Sequence, residues 1–130
     1  VVTDEMTLEE YWQMKRANRR NKYNAQARTV DGVRFDSKAE ARRYGELKLL
    51  CAQGYIAGLR IHPRYELQAA FTDGRGKRHR GIFYEADFEY QESGQMIAED
   101  VKGVQTTVFR LKRKLFLYRY SEYDLRIVPA

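Results

Sequence analysis

The chain has 130 residues, 43% of them hydrophobic, which suits one compact domain with a modest core and argues against wholesale disorder. With 24 Lys plus Arg against 18 Asp plus Glu it carries a net charge of +6, the balance of a phosphate-binding protein. One cysteine, Cys51, excludes a disulfide framework or a thiolate zinc site within one chain. No apolar run approaches the roughly 18 residues of a membrane span, and the polar start is unlike a secretory signal, so a soluble, cytoplasmic protein without membrane contact is expected.

In chain order, Thr7-Leu8-Glu9-Glu10 is a capping box that opens a helix to about Ala17, with Leu8, Tyr11 and Trp12 along one side. Arg16, Arg19, Arg20 and Lys22, followed by Tyr23 and Asn24, then form a basic arm suited to a phosphate backbone or, equally, a solvated connector. This divides the chain into an N-terminal helix and arm, 1–21, and a main domain, 22–130. Asp31-Gly32, between short apolar stretches, signals a small hairpin.

Ser37 starts the main helix, which runs to about Gln53 with Ala41, Tyr44, Leu47, Leu50 and Cys51 inward, and stops before Gly54. Glu40 lies at the edge of that inward stripe and has two readings. Ser37-Lys38-Ala39-Glu40 is a capping box in which Glu40 reaches back to the Ser37 amide. A first-turn carboxylate facing a sheet is also placed to serve as a third metal ligand or to hold a metal-bound water.

Arg60 to Gln68 reads as a strand in which Pro63 marks an edge or a bulge. The stretch from Thr72 to Arg80 is a polar, basic loop, in which Arg78 and Arg80 are candidates to grip DNA or are simply solvated. His62 and His79 lack metal-ligand spacing with any cysteine and read as structural or phosphate-binding.

The segment Phe83 to Gln91 alternates, with Tyr84, Ala86, Phe88 and Tyr90 on one face and Asp87 and Glu89 on the other, as in a half-buried strand. Met96 to Lys102 is its partner. The Ser93-Gly94 turn pairs Glu92 with Gln95 and sets Asp87 opposite Asp100, with Cβ atoms roughly 5 Å apart. Asp100 and Lys102 share that face. Two opposed carboxylates repel unless a proton or cation intervenes. Mg²⁺ accepts one or two carboxylates alongside water and phosphate oxygens, and Lys102 is placed to stabilise a phosphate or help deprotonate water. The alternative is a solvated strand face with a cross-strand salt bridge.

After Gly103, Thr106 or Thr107 caps a last helix to about Tyr120, with Val108, Leu111, Leu115 and Tyr118 as the expected buried stripe. Arg110, Lys112, Arg113, Lys114 and Arg119 spread over the rest, and the helix N-terminus faces the proposed metal. Tyr123 to Val128 forms a final strand beside the central hairpin.

Glu40 on a helix, Asp87 on a strand, Asp100-Val101-Lys102 on the next strand and a following helix together resemble the αβββαβ core of the PD-(D/E)XK nuclease superfamily. The nearest likeness is to small phage-encoded endonucleases, including Holliday-junction resolvases. The stretches Lys22-Tyr23-Asn24, Phe35 to Glu40, Glu85 to Phe88, Glu99 to Gly103 and Lys112-Arg113-Lys114 also resemble a largely uncharacterised family of phage and prophage proteins. The resemblance implies an α/β (α+β), restriction-endonuclease-like fold, with a mixed central sheet flanked by helices.

It further implies that Asp87, Asp100 and the Val101 carbonyl bind Mg²⁺ or Mn²⁺, that Lys102 is the catalytic lysine, and that Glu40 is the acid of the first core helix. Two departures stand out: Ala86 replaces the proline that names the motif, and Asp100 is the shorter acid. Gln105 follows the site closely enough to touch DNA or water, and Arg110, Arg113 and Lys114 extend the basic surface. The expected activity is Mg²⁺-dependent DNA cleavage, selective for branched or distorted DNA, by a homodimer that supplies paired cuts. The competing expectation is a non-catalytic DNA-binding or packaging accessory protein.

Overall fold

A computed structural model describes residues 27–130. The expected N-terminal helix, its basic arm and the 21/22 boundary lie outside the described residues. The chain divides into two compact units, one ending at Gly45 and the other comprising Glu46–Ala130. The described part is mixed α and β.

In the first unit, β1 (Arg28–Val30) and β2 (Val33–Phe35) form the expected hairpin around Asp31-Gly32. Phe35 packs on Tyr44 with ring centroids 5.0 Å apart, and the Tyr44 hydroxyl donates to Asp31 at 3.0 Å. Helix α1 (Lys38–Ala52) starts here and runs into the second unit. Its C-terminus is closed by Gly54 in the left-handed region (φ 81°). The Gly54 amide donates to the Cys51 carbonyl and the Tyr55 amide to the Leu50 carbonyl, a Schellman motif that only a residue tolerating positive φ completes cheaply.

The second unit holds a four-stranded mixed sheet in the order β10-β9-β8-β3, formed by β3 (Ala57–Ile61), β8 (Phe88–Glu92), β9 (Gln95–Lys102) and β10 (Tyr123–Pro129). β8 and β9 pair in the expected register, Glu92 opposite Gln95, around Ser93 (φ 51°) and Gly94 (φ 79°). Two successive positive φ angles make a type I′ turn, whose twist matches that of the strands. β10 runs parallel to β9, so the chain must cross over between them, and α2 (Thr107–Arg119) is that crossover.

Two expected strands are each broken. The reading of Arg60 to Gln68 as one strand gives way to β3 and β4 (Arg64–Gln68), separated at His62-Pro63; that of Phe83 to Gln91 gives way to β7 (Ile82–Glu85) and β8, separated at Ala86-Asp87. The breaks lie opposite one another. The registers Ile61↔Phe88 and Arg64↔Glu85 continue through them, so one long antiparallel ribbon bends at this level. Above the bend it belongs to the four-stranded sheet; below, among the described residues, β4 and β7 pair only with each other. Alternation slips at the bend, which puts Tyr84 on the side of Asp100 rather than on the opposite face.

The core of this unit gathers Tyr65, Leu67, Tyr84, Ala86, Ala98, Phe109, Phe116 and Leu125. Tyr65 meets Phe116 edge to face at 4.8 Å and Phe116 stacks with Tyr120 at 5.1 Å. The expected stripe of α2 is therefore corrected. Phe109 and Phe116 face inward, while Val108, Leu111, Leu115 and Tyr118 are exposed, Tyr118 at 89%. Ring partners on β4, β7 and β10 offer aromatic side chains closer packing than the aliphatic stripe would find.

The loop read from Thr72 to Arg80 is instead a short finger, β5 (Phe71–Thr72) paired with β6 (Arg78–His79). Asp73 Oδ1 accepts the Arg75 and Lys77 amides, and its Oδ2 lies 2.7 Å from His79 Nε2. Gly81 joins the finger to β7, and a Cβ there would lie 3.0 Å from both the Gln68 carbonyl oxygen and the Phe83 ring.

Candidate active site

Asp87 stands at the bend, where β7 leaves the sheet. The β8–β9 ladder ends at Phe88↔Glu99, one step short of the expected Asp87–Asp100 pair, and there the Asp87 amide donates to the Glu99 carbonyl at 3.0 Å. Extending Ile61↔Phe88 by one sets His62 opposite Asp87, with the His62 amide donating to the Asp87 carbonyl at 2.9 Å. His62 and Asp87 thus adjoin at the bend, where β3 and β8 end.

Asp100 is buried, at 2% exposure, and a buried carboxylate needs donors. The Tyr84 hydroxyl donates to its Oδ2 at 2.5 Å and Lys102 Nζ lies 3.5 Å from its Oδ1. Lys102 also sits over the Phe109 ring, 4.7 Å from the centroid, so its ammonium is held between an anion and a π face. Burial raises the Tyr84 hydroxyl far above the ordinary tyrosine range; the Asp100 charge and hydrogen bond add to this, and the Asp87 charge adds further. Both carboxylates therefore act on one hydroxyl.

The Asp87 side chain accepts the Val101 amide at 2.7 Å. Amide and carbonyl of one strand residue leave the backbone on the same side, so the Val101 carbonyl is also directed toward the β8 side at the bend. Two carboxylates and a carbonyl are the donor set a hard divalent cation takes, so the chemistry of these residues fits one.

Neighbouring acids differ. Glu89 shares the Asp87 face, but its Oε1 accepts the Tyr65 and Tyr123 hydroxyls, each at 2.8 Å, and its Oε2 pairs with Arg60 at 3.0 Å. That saturated set ties strands together. Glu99 points to the opposite face, where the Tyr90 hydroxyl donates to it at 2.6 Å.

Glu40 belongs to the first unit and caps α1: its amide donates to Ser37 Oγ at 3.1 Å. Its carboxylate accepts the Asp36 amide at 3.4 Å, one residue before the expected Ser37 amide. Thr106 caps α2 by accepting the Phe109 amide at 3.1 Å. Arg78 and Arg80 are exposed at the finger, Gln105 lies in the loop before α2, and Arg110 and Lys114 are exposed on α2. Arg113 is half-buried, with its Nε enclosed and without a hydrogen-bond partner among the described residues.

Sequence reasoning brought together Asp87, Asp100, Val101 and Lys102 but set His62 aside. Pro63 signalled a discontinuity beside it. Only the pairing of β3 with β8, which no local pattern carries, places it across from Asp87.

Residues 20–129 match a family described as "Protein of unknown function (DUF1064)". No curated protein and no solved structure matches the chain. Among the described residues no helix is long and apolar enough to cross a membrane.

Proposed function

We propose that this chain, which belongs to the DUF1064 family, is a divalent-cation-dependent DNA endonuclease of PD-(D/E)XK type that selects branched or distorted DNA. The observation that carries this reading is the Asp87 carboxylate reaching the Val101 amide at 2.7 Å, next to the buried Asp100, with Lys102 Nζ 3.5 Å from Asp100. Two carboxylates against one ammonium leave the cluster net negative, which favours a cation.

Asp87, Asp100 and the Val101 carbonyl would hold Mg²⁺ or Mn²⁺, and the ion when bound lowers the pKa of water and neutralises charge developing on a phosphate. Lys102, positioned by Asp100 and Phe109, would donate to a phosphate oxygen. The N-terminus of α2, a few residues beyond, adds free amides and a positive dipole end that favour the same anion. Arg78, Arg80, Gln105, Arg110 and Lys114 would meet the backbone, with Arg113 supporting that surface. Such backbone interactions orient DNA without reading bases, which suits a substrate chosen by shape. A homodimer would supply the two cuts that a junction needs.

Incubating the chain with duplex, nicked, flap, single-stranded and four-way-junction DNA, and parallel RNA, in Mg²⁺, Mn²⁺ or EDTA tests the reading. Cleavage of at least one DNA only with metal is expected. Salt-dependent binding without cleavage in either ion would favour a binding or packaging accessory role instead.

A further inference from the structure

We propose that His62 is a nitrogen ligand to the same cation as Asp87, and that this imidazole makes the site select Mn²⁺ over Mg²⁺. The inference rests on the metal-dependent reading above and deepens it by naming the ion.

A ligand atom of His62 and one of Asp87 lie within 4.8 Å of each other. Two donors on one ion, each about 2.2 Å from it, are about 3 Å apart when adjacent and about 4.4 Å when opposite, so a small side-chain rotation suffices. The backbone supports the placement. His62 adopts a left-handed conformation (φ 53°) between two strands, and both sides of the bend are tied: the His62 amide to the Asp87 carbonyl at 2.9 Å, and the Ala86 amide to the Pro63 carbonyl at 3.1 Å. A positive φ at a non-glycine residue is uncommon and is held here by the same pairing that sets His62 beside Asp87.

The donor set then decides the ion. Mg²⁺ demands oxygen ligands and dehydrates reluctantly, whereas later divalent ions accept imidazole alongside carboxylate. One nitrogen beside the Asp87 carboxylate shifts the balance from Mg²⁺ to Mn²⁺.

The test titrates the full chain calorimetrically with Mn²⁺ and with Mg²⁺, and records electron spin-echo spectra of bound Mn²⁺ for nitrogen coupling. His62→Asn is the informative variant, since asparagine tolerates the left-handed backbone and lacks the imidazole; His79→Asn controls for the finger histidine. Wild type should bind Mn²⁺ at least tenfold more tightly than Mg²⁺ and show nitrogen coupling. His62→Asn should lose the coupling and about tenfold in Mn²⁺ affinity while keeping its Mg²⁺ affinity. Bound Mn²⁺ that depends on Asp87 but shows no nitrogen coupling, or coupling that survives in His62→Asn, overturns the assignment and leaves the metal site standing. No binding of either ion by wild type overturns the metal reading itself.

Discussion

The Tyr84 hydroxyl donates to Asp100 Oδ2 at 2.5 Å, so a residue on the departing ribbon holds a carboxylate on the central strand. That bond crosses the bend. Tyr84→Phe removes a donor from a buried charged acceptor and should cost about 1–3 kcal/mol, read from urea unfolding at neutral pH. Unchanged stability would mean that Lys102 alone satisfies Asp100.

Asp87→Asn still accepts the Val101 amide and Asp100→Asn still accepts the Tyr84 proton, so both variants should fold. Each should abolish metal-dependent cutting with junction affinity nearly intact. Lys102→Met should slow single-turnover cleavage more than it lowers metal affinity. Parallel losses of melting temperature and binding in the aspartate variants would point to a structural pair.

Glu40→Gln keeps the oxygen that accepts the Asp36 amide and removes the charge. An unchanged melting temperature with reduced cleavage assigns the carboxylate to chemistry. Unchanged cleavage confines it to the cap.

Paired charge removal at Arg78 and Arg80 should weaken binding to all DNA forms alike. For every phosphate that goes unneutralised in the variant, the slope of log affinity against log salt should fall by about 0.9. A slope equal to that of wild type would remove the finger from the interface.

Alkaline pH should unfold the chain through its buried tyrosines. Burial, aided by the hydrogen bond to Glu89, pushes Tyr123 from 10.0 up to about 12, and Tyr65 is raised further by burial and the same carboxylate. Below pH 10 both folded and unfolded chains keep these protons. Above it the unfolded chain releases them first, so this stabilisation fades as pH rises through the folded value. Tyrosinate absorbance and loss of circular dichroism should rise together above pH 10, less steeply in Tyr123→Phe. Early ionisation of all tyrosines in a folded chain would contradict the burial argument.

Local chemistry made much of this legible. Ser93-Gly94 sets the β8–β9 register from Glu92↔Gln95 to Phe88↔Glu99; Ser37 and Gly54 bound α1 within a residue or two. The bend was not legible, because Ala86 fits an unbroken alternation and the strands part only where neighbours cease to pair. The inward face of α2 was misread for a related reason. Val108, Leu111, Leu115 and Tyr118 repeat as a helix stripe should, yet the ring cluster around Tyr65 and Phe116 assembles from residues distant in sequence. His62 stayed hidden because a cross-strand neighbour is a long-range fact.

The crowding at Gly81 bears on where a nuclease of this build would cut. A Cβ at the root of the finger would meet backbone and ring at 3.0 Å, closer than ordinary contact, so a side chain there would press the finger off its present seat. A branch point seated on the fingertip would then have its reach to Asp87 and Asp100 set by how the finger is rooted at Gly81. The offset between branch and incision would be a ruler set by the protein, constant from one substrate sequence to the next.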